Sequence, residues 1–128
     1  LVPPVMVTQA DVRELQLAKV AIAADIRILT QQWGARVEDI SQLYLAGAFG
    51  NYINRASARR IGLLHFPPEK IVAAGNTALL GAKLALFNLH AHDGSYAELR
   101  RRIQHVSVNE DPQFHEIYVE EMGFPQSL

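Results

Sequence analysis

The sequence predicts an α/β fold with a three-layer core. A long helix with two apolar stripes is followed by two short, wholly apolar runs, Leu43 to Ala46 and Ile71 to Ala74. Each run leads into a glycine-containing segment and then a further helix. Strands that alternate with helices in this way form parallel sheets against which the helices pack. We therefore expect the two runs to be adjacent parallel strands, with the first helix packed across them.

The first helix is predicted from a capping pair and from the period of its apolar residues. Val5 to Val7 has the composition of a short strand, and Thr8 with Asp11 then has the spacing of an N-terminal cap. Gly34 is the expected end of the helix. Because apolar residues recur on two sides, we expect both sides to be covered. The two stripes consist of Leu15, Ala18, Ile22, Ile26, Leu29 and Trp33, and of Leu17, Ala21, Ala24 and Ile28.

The stretch from Leu43 to Asn51 is the centre of the predicted site. Its apolar run predicts a strand buried on both faces, and Gly47 and Gly50 follow where that strand ends. Glycine adopts positive φ without strain and has no Cβ to hold a flat ligand away from the backbone. A tight loop of this kind often cradles a nucleotide. An ordinary strand-to-helix turn is the alternative, because short glycine motifs also arise by chance.

The same order of strand, glycine and helix occurs a second time. Asn54 is the expected cap of a short helix through Ile61. After the second strand, also predicted to be buried on both faces, Asn76 or Thr77 caps a helix that reaches about Leu89. The remaining predicted elements are a helix from Tyr96 to Ile103, a strand from Val106 to Val108, and a helix with Pro112 in its first turn that carries Phe114, Ile117, Tyr118 and Met122.

Composition limits the classes of function. The chain has 128 residues, of which 49% are hydrophobic, and it fits one domain with one core. The formal net charge of -1 gives no electrostatic case for nucleic acid, and no apolar run approaches the roughly 20 residues that cross a bilayer. We therefore expect a cytoplasmic location without nucleic-acid or membrane partners. Zero cysteines exclude disulfides, thiolate metal sites and iron–sulfur ligation by this segment.

Three candidate chemical motifs fail on spacing. The stretch from Gly75 to Lys83 lacks the four-residue gap between glycines, and the lysine directly after the second glycine, that a phosphate-binding P-loop needs. His115 opens a zinc-protease pattern, but Val119 stands where the second histidine is required. The histidines between His90 and Asp93 share one loop, where a solvated turn is favoured over a metal site. We therefore predict no catalytic residue and no metal site in this chain.

Five separate blocks of the sequence resemble, in the family's order, the C-terminal domain of reductive activators of corrinoid proteins. The blocks are RELQLAK at 13–19, LYLAGAFGNY at 43–52, SARRIGLL at 57–64, AGNTALLGAKLAL at 74–86 and DPQF at 111–114. This family belongs to the ASKHA superfamily, which also contains actin, sugar kinases and heat-shock chaperones. The resemblance implies the C-terminal part of an actin-like ATPase (ribonuclease H-like) fold. Residues 1–92 would form the α/β core with nucleotide-binding loops, and residues 93–128 a C-terminal extension.

The same resemblance implies which residues contact a nucleotide. The family's adenosine motif is similar to the stretch after the first strand, and a second connecting segment of the superfamily is similar to the stretch after the second strand. In the chaperone branch the preceding helix brings an acidic and a basic residue to the nucleoside. Gln16 and Lys19 stand at the similar positions here, and Gln16 departs from the acidic type. The implied nucleotide-binding residues are Gly47, Ala48, Phe49, Gly50, Asn51, Gly75, Asn76, Gln16 and Lys19.

A valine at Gly50 is expected to fill the space that the base or ribose needs. If the glycine loop is exposed, the same change should leave the fold largely intact.

On this resemblance the chain is expected to be the nucleotide-binding part of an ATP-dependent activator that returns an inactive cobalt(II) corrinoid to its reduced state. ATP or ADP would bind with magnesium in the full-length protein, and electrons would come from an upstream ferredoxin-like domain with a 2Fe-2S cluster. The implied partner is a corrinoid protein or its methyltransferase system. The segment alone is expected to be inactive, because the superfamily's phosphate loops would lie before Leu1, in the rest of a longer protein.

Two alternatives stand beside this activator. One is a protein–protein interaction or oligomerisation module of the same fold, in which the glycine loop is structural. The other is part of an ASKHA small-molecule kinase. The chain is also too short at its start to contain the strands that, in the superfamily, pair beside the first glycine-loop strand. Because such an edge exposes unpaired N–H and C=O groups, we expect self-association, strand exchange or a rearranged sheet.

Overall fold

The computed structural model describes residues 4–87 and 95–126 and has the predicted α/β architecture. Strands β1 and β2 are adjacent and parallel, as the two apolar runs predicted. Helix α1 precedes them, and the remaining helices follow one or other strand. The helices and strands are α1 (Gln9–Gln32), β1 (Leu43–Ala46), α2 (Gly47–Tyr52), α3 (Arg55–Arg60), β2 (Ile71–Gly75), α4 (Thr77–Phe87), α5 (Ser95–Arg102) and α6 (Phe114–Glu120).

Helix α1 begins at the predicted cap. The Asp11 N–H donates to the Thr8 hydroxyl at 3.3 Å, and the Thr8 N–H donates to the Asp11 carboxylate at 2.8 Å. Hydrogen bonds from the Thr8 side chain and backbone hold the pKa of Asp11 below its usual value. The preceding Val5–Val7 was predicted as a strand, and this prediction is wrong. These side chains are at least 75% exposed and have no neighbouring strand with which to pair among the described residues.

Two faces of α1 are buried, and each contains only part of a predicted stripe. Ala24 and Ile28 pack with Ile117 of α6, while Ile26 packs against a second cluster beneath the sheet. The rest of the predicted stripe from Leu15 to Trp33 is open to solvent, since Leu15, Ile22, Leu29 and Trp33 are 38–77% exposed. The cluster beneath the sheet contains Ala58, Leu63, Leu64, Phe66 and Ile71.

The sheet is covered on one face. Leu43 pairs with Ile71 and Leu45 with Ala73, and Leu43, Leu45 and Ile71 pack in the cluster beneath the sheet. On the opposite face, Tyr44 is 62% exposed. The prediction of strands buried on both faces is therefore wrong for the described residues. The physical reason is that α4, the helix after β2, has no buried residue and does not cover that face.

Helix α3 starts at Asn54, as predicted, with the Asn54 side chain accepting from the Ser57 N–H at 2.9 Å. Its first residue, Arg55, reaches back to β2 and donates to the Ile71 carbonyl at 2.8 Å. Gly62 then turns the chain with a φ of 73°. These contacts tie α3 to the second strand.

The C-terminal part contains two helices near the predicted positions but not the predicted strand. Helix α5 confirms the helix expected from Tyr96. Helix α6 begins at Phe114 and ends at Glu120, so the predictions that Pro112 lies in its first turn and that it carries Met122 are wrong. Val106–Val108 was predicted as a strand, but the chain there is irregular and passes into a 3₁₀ turn over Val108–Glu110. The segment has no strand beside it, among the described residues, to complete a ladder. The end of the helix expected at Leu89, and the loop between His90 and Asp93, lie outside the described residues.

Candidate functional site

The carboxyl ends of β1 and β2 meet at one edge of the sheet, where two glycines turn the chain. Ala46 stands opposite Gly75 in the register. Gly47 and Gly75 have φ values of 81° and 67°, in the left-handed region that residues with a Cβ rarely adopt. We call this pair of turns the glycine edge. Ligands of parallel α/β sheets bind outside the carboxyl ends of the strands, so this edge is the candidate site.

The backbone of the glycine edge is open. A Cβ built on Gly47 or on Gly75 has no other heavy atom within 4 Å. Asn76 follows directly and caps α4, its side-chain oxygen accepting from the Leu79 N–H at 3.0 Å. Ala48 and Asn51 are also exposed. The edge therefore offers accessible backbone, the exposed amide side chains of Asn51 and Asn76, and the start of an eleven-residue helix.

Gly50 differs from the other glycines of the predicted site. The segment predicted as a loop forms the short helix α2, which includes Phe49 and lies against both strands. Gly50 is buried, and a Cβ built on it would lie 2.8 Å from the backbone carbon and oxygen of Leu45. Its lack of a side chain lets α2 pack closely on β1. The expectation that valine at Gly50 would spare the fold required an exposed loop, and this condition does not hold because Gly50 is buried.

A small apolar cavity lies beneath Gly50. Its volume is about 80 Å³, well below the roughly 300 Å³ at which ligand pockets begin. A ligand at this site would therefore lie over the glycine edge and outside the cavity. The cavity also links α1 to the edge, since its lining combines Ile22 of α1 with Leu45, Ala46, Gly50, Ile53, Leu63 and Leu64.

Gln16 and Lys19 bind the chain's own C-terminal segment, residues 120–125, which we call the C-terminal strap. The Lys19 ammonium donates to the carbonyl of Glu121 and, at 2.6 Å, to that of Gly123. The Gln16 amide donates to the carbonyl of Met122 at 3.3 Å. Lys19 is only 1% exposed. A nucleoside contact from either side chain, as the resemblance implied, would require the strap to leave.

Further contacts anchor the strap to the rest of the domain. The Lys19 ammonium lies 5.9 Å from the centroid of the Phe124 ring, within cation–π range. Burial lowers the pKa of Lys19, and the nearby Glu121 carboxylate opposes this shift. The Glu121 carboxylate lies 3.5 Å from both Arg27 of α1 and His65, which precedes β2. The strap thus contacts two separate parts of the chain.

The acceptors in the strap were not found from the sequence. They are backbone carbonyls, which carry no residue-specific signal, and they lie 102 to 106 positions from Gln16 and Lys19. The run Gly123, Phe124 and Pro125 indicates the end of a helix and carries no sign of a contact with α1.

The part of the chain that the structure describes contains neither a metal-binding cluster nor a membrane-spanning helix. Within residues 4–87 and 95–126, no three His, Cys, Asp or Glu side chains come together as a metal site. No helix in these ranges is long and apolar enough to span a bilayer.

Comparison with known proteins identifies the family. The family model described as "C-terminal domain of RACo the ASKHA domain" matches residues 2–128. The chain belongs to this family. A solved structure of a "reductive activator for corrinoid, iron-sulfur protein" superimposes with a TM-score of 0.79 at 31% identity, over 93% of this chain and 19% of the other. The predicted family and the ASKHA fold are thereby confirmed.

Two curated relatives have names of the same kind. The chain is 36% identical over 116 residues to the corrinoid activation enzyme RamQ of Eubacterium limosum, which covers 90% of this chain and 19% of that protein. It is 32% identical over 125 residues to the Co(II) methylated amine-specific corrinoid protein reductase of Methanosarcina barkeri, over 95% and 23% of the two chains. The chain therefore spans about a fifth of the length of these family members.

Proposed function

We propose that this chain is the nucleotide-binding C-terminal part of an ATP-dependent, iron–sulfur reductive activator of corrinoid proteins that works in the cytoplasm. The observation that carries the proposal is the glycine edge. Two adjacent parallel strands end at the same edge in open, positive-φ glycines, within a domain of the ASKHA family. Backbone without side chains lets a flat base or a sugar approach closely. Membership of this family favours an activator over a small-molecule kinase.

The residues of the edge fit one part of a nucleotide. Gly47 and Gly75 would lie against the nucleoside, with Ala48, Asn51 and Asn76 beside it. The N-terminus of α4 adds backbone N–H groups that favour a negatively charged ligand. ATP, when bound, would supply the free energy of phosphoryl transfer for a conformational change. The edge itself would orient the nucleoside.

The proposal assigns the remaining chemistry to other parts of a longer polypeptide. Phosphoryl transfer needs positioned magnesium and cationic groups around the phosphates, and the described residues contain no cluster that could hold a metal. This chain has no cysteine with which to bind a 2Fe-2S cluster. The corrinoid-protein partner would be recognised by the full-length protein. We therefore expect the 128-residue segment to bind ADP weakly and to release no phosphate from ATP.

The Gly75→Val variant tests the glycine edge. We expect ADP affinity of the full-length protein, measured by isothermal titration calorimetry, to fall at least about tenfold, which corresponds to about 1.4 kcal/mol. The branched side chain would fill the open space above Gly75, where a ligand would lie. ADP titration and a phosphate-release assay on the segment alone complete the measurement.

Gly34→Val is the matched control. Gly34 also has a positive φ, 74°, with no heavy atom within 4 Å of a built Cβ, but it lies at the end of α1. Both variants carry the same backbone strain, so a difference in ADP affinity reports on the edge. Equal affinities in both variants would remove Gly75 from the site, and ATP turnover by the segment alone would contradict its assigned role.

We propose self-association of the segment as a second property, because α4 exposes a continuous apolar surface. Leu80 and Leu84 lie one turn apart and are 55% and 52% exposed. The described sheet has two strands, and its outer edges have no partner strand. Burial of a leucine stabilises a complex by about 1.5–3 kcal/mol, so pairing through this surface is favourable. A protein-interaction module of the same fold would use the same surface.

The variant Leu80→Glu/Leu84→Glu tests this surface in the 128-residue chain. We expect the wild-type chain to sediment as a dimer or larger species, and the dissociation constant of the variant to rise at least tenfold, since two buried leucines are lost. Lys83→Glu, on the same helix, changes charge without removing apolar surface and is the control. A wild-type chain that is monomeric at all concentrations would contradict self-association.

A further inference from the structure

The C-terminal strap joins two parts of the fold that have separate cores. One hydrophobic cluster lies beneath the sheet and includes Leu63, Leu64 and Ile71, while the other lies between α1 and α6. The strap contacts α1 through Lys19 and Gln16, and it contacts the connection between α3 and β2 through Gly62 and His65. It therefore bridges the seam between the two clusters.

The packing around Gly62 makes this bridge close. A Cβ built on Gly62 would lie 3.0 Å from the Pro125 side chain and 3.1 Å from Cε of Lys19. The strap, the lysine stem and the turn are thus in mutual contact at one point. Any side chain at Gly62 would push the strap or Lys19 away.

We propose that the C-terminal strap is a clamp that fixes α1 against the α3–β2 connection, and that Lys19 is the positioning residue of this clamp. The buried ammonium uses its donors on two strap carbonyls and lies over the Phe124 ring. Hydrogen bonds from a charged donor are stronger than those between neutral groups, so loss of the ammonium would weaken the attachment of the strap to α1. Lys19 thus acts through the strap and does not touch a ligand.

The clamp reaches the glycine edge through the cavity beneath Gly50. Leu63 and Leu64, directly after Gly62, line this cavity together with Ile22 of α1. Because the strap holds α1 and Gly62 together, it also fixes Ile22 on one side of the cavity and Leu63 and Leu64 on the other. Gly50 of α2 lines the same cavity. The link between the clamp and the glycine edge rests on the proposed nucleotide function, because it is measured as a change in ADP affinity.

Lys19→Met in the full-length protein tests the clamp. Hydrogen exchange is measured at the Glu121 and Met122 amides, which donate to Ile117 and Val119 carbonyls at 2.9 and 3.2 Å. We expect exchange at these amides to be at least about tenfold faster, since more than one hydrogen bond of the strap is lost. The control is Lys70→Met, because Lys70 also donates to two backbone carbonyls, those of Glu38 and Ile40, away from the strap.

The ADP measurement separates positioning from ligand contact. We expect Lys19→Met to weaken ADP binding in the intact protein and to have no further effect once residues 121–125 of the strap are deleted, because both changes open the same clamp. An equal loss of affinity with and without the strap would show that Lys19 contacts the ligand and would overturn the proposal.

Two further outcomes are informative. Unchanged exchange at Glu121 and Met122 in Lys19→Met would also overturn the clamp. If that variant does not fold, Gln16→Leu, which removes only the bond to Met122, must speed exchange of the same amides for the proposal to stand. Absence of ADP binding by the wild-type protein would count against the proposed nucleotide function alone, since the exchange measurement needs no ligand.

Discussion

Replacement of Gly50 by alanine is expected to destabilise the chain by about 2–3 kcal/mol, and replacement by valine by more. A Cβ at this position would lie 2.8 Å from three atoms of Leu45, two of which belong to the backbone of β1. Real Cβ atoms do not approach other atoms so closely, so α2 must move away from the strand. Because the domain as a whole is stabilised by about 5–15 kcal/mol, this is a large fraction of its stability.

Gly81→Ala is the matched control, with an expected effect of the opposite sign. Gly81 lies inside α4, where a built Cβ meets nothing within 4 Å. Alanine in a helix interior is about 0.8–1 kcal/mol more favourable than glycine, so this variant should be slightly stabilised. Urea unfolding of both variants, followed by far-ultraviolet circular dichroism, gives the two free energies of unfolding. A Gly50→Ala variant as stable as the wild type would mean that α2 does not pack on β1 as described.

Phe66→Ala is expected to lower the free energy of unfolding by about 3–5 kcal/mol. Phe66 is 1% exposed and belongs to the cluster that Ile71 of β2 and Ala58 of α3 share. Truncation to alanine removes the apolar burial of the ring and leaves a cavity where strand and helix meet. The loss of stability should therefore exceed that of any exposed truncation in the chain.

Phe87→Ala is the comparison for this variant. Phe87 has the same side chain at the end of α4 but is 81% exposed, so its truncation should change stability by less than about 0.5 kcal/mol. Thermal and urea unfolding of the two variants provide the measurement. Similar losses from both truncations would indicate that α4 is covered in solution, as expected where the segment self-associates.

Elements set by short-range rules could be predicted from the sequence. The cap at Thr8 and Asp11 and the cap at Asn54 both form as their spacing indicated, because a side-chain oxygen needs only a nearby N–H group. Strand β1 has its predicted bounds because a short apolar run between turn residues is typical of a strand. The parallel pairing follows from the helix-length connection between the strands.

The burial of particular faces could not be predicted, because it depends on distant partners. Two stripes on α1 had equal apolar character, and the position of α6 and the strap decided which surface was buried. Lys19 belongs to neither predicted apolar stripe, yet it is one of the most buried residues. Tyr44 stood in an apolar run and is exposed, because α4 does not cover that face of the sheet.

The sequence predicted glycines at the ends of the two strands, but not their different structural roles. Gly47 and Gly75 have positive φ, whereas Gly50 is needed for close packing of α2 on β1. Spacing in the sequence does not distinguish these two requirements, since both call for the absence of a Cβ. The contacts of Gln16 and Lys19 depend on strap carbonyls more than 100 positions away.

The contacts between α1 and the strap can form only late in the synthesis of the chain. The hydrogen bonds of Lys19 cannot form until their acceptors, 102 and 104 residues further along the chain, have been synthesised. At the usual rate of about 5–20 residues per second, this delay lasts roughly 5–20 seconds, during which the parallel strands can already pair. For that interval Ala24 and Ile28 of α1 also lack Ile117, their partner in α6. The nascent domain thus presents one apolar helix face to the ribosome exit and its chaperones until residues 117–123 have emerged.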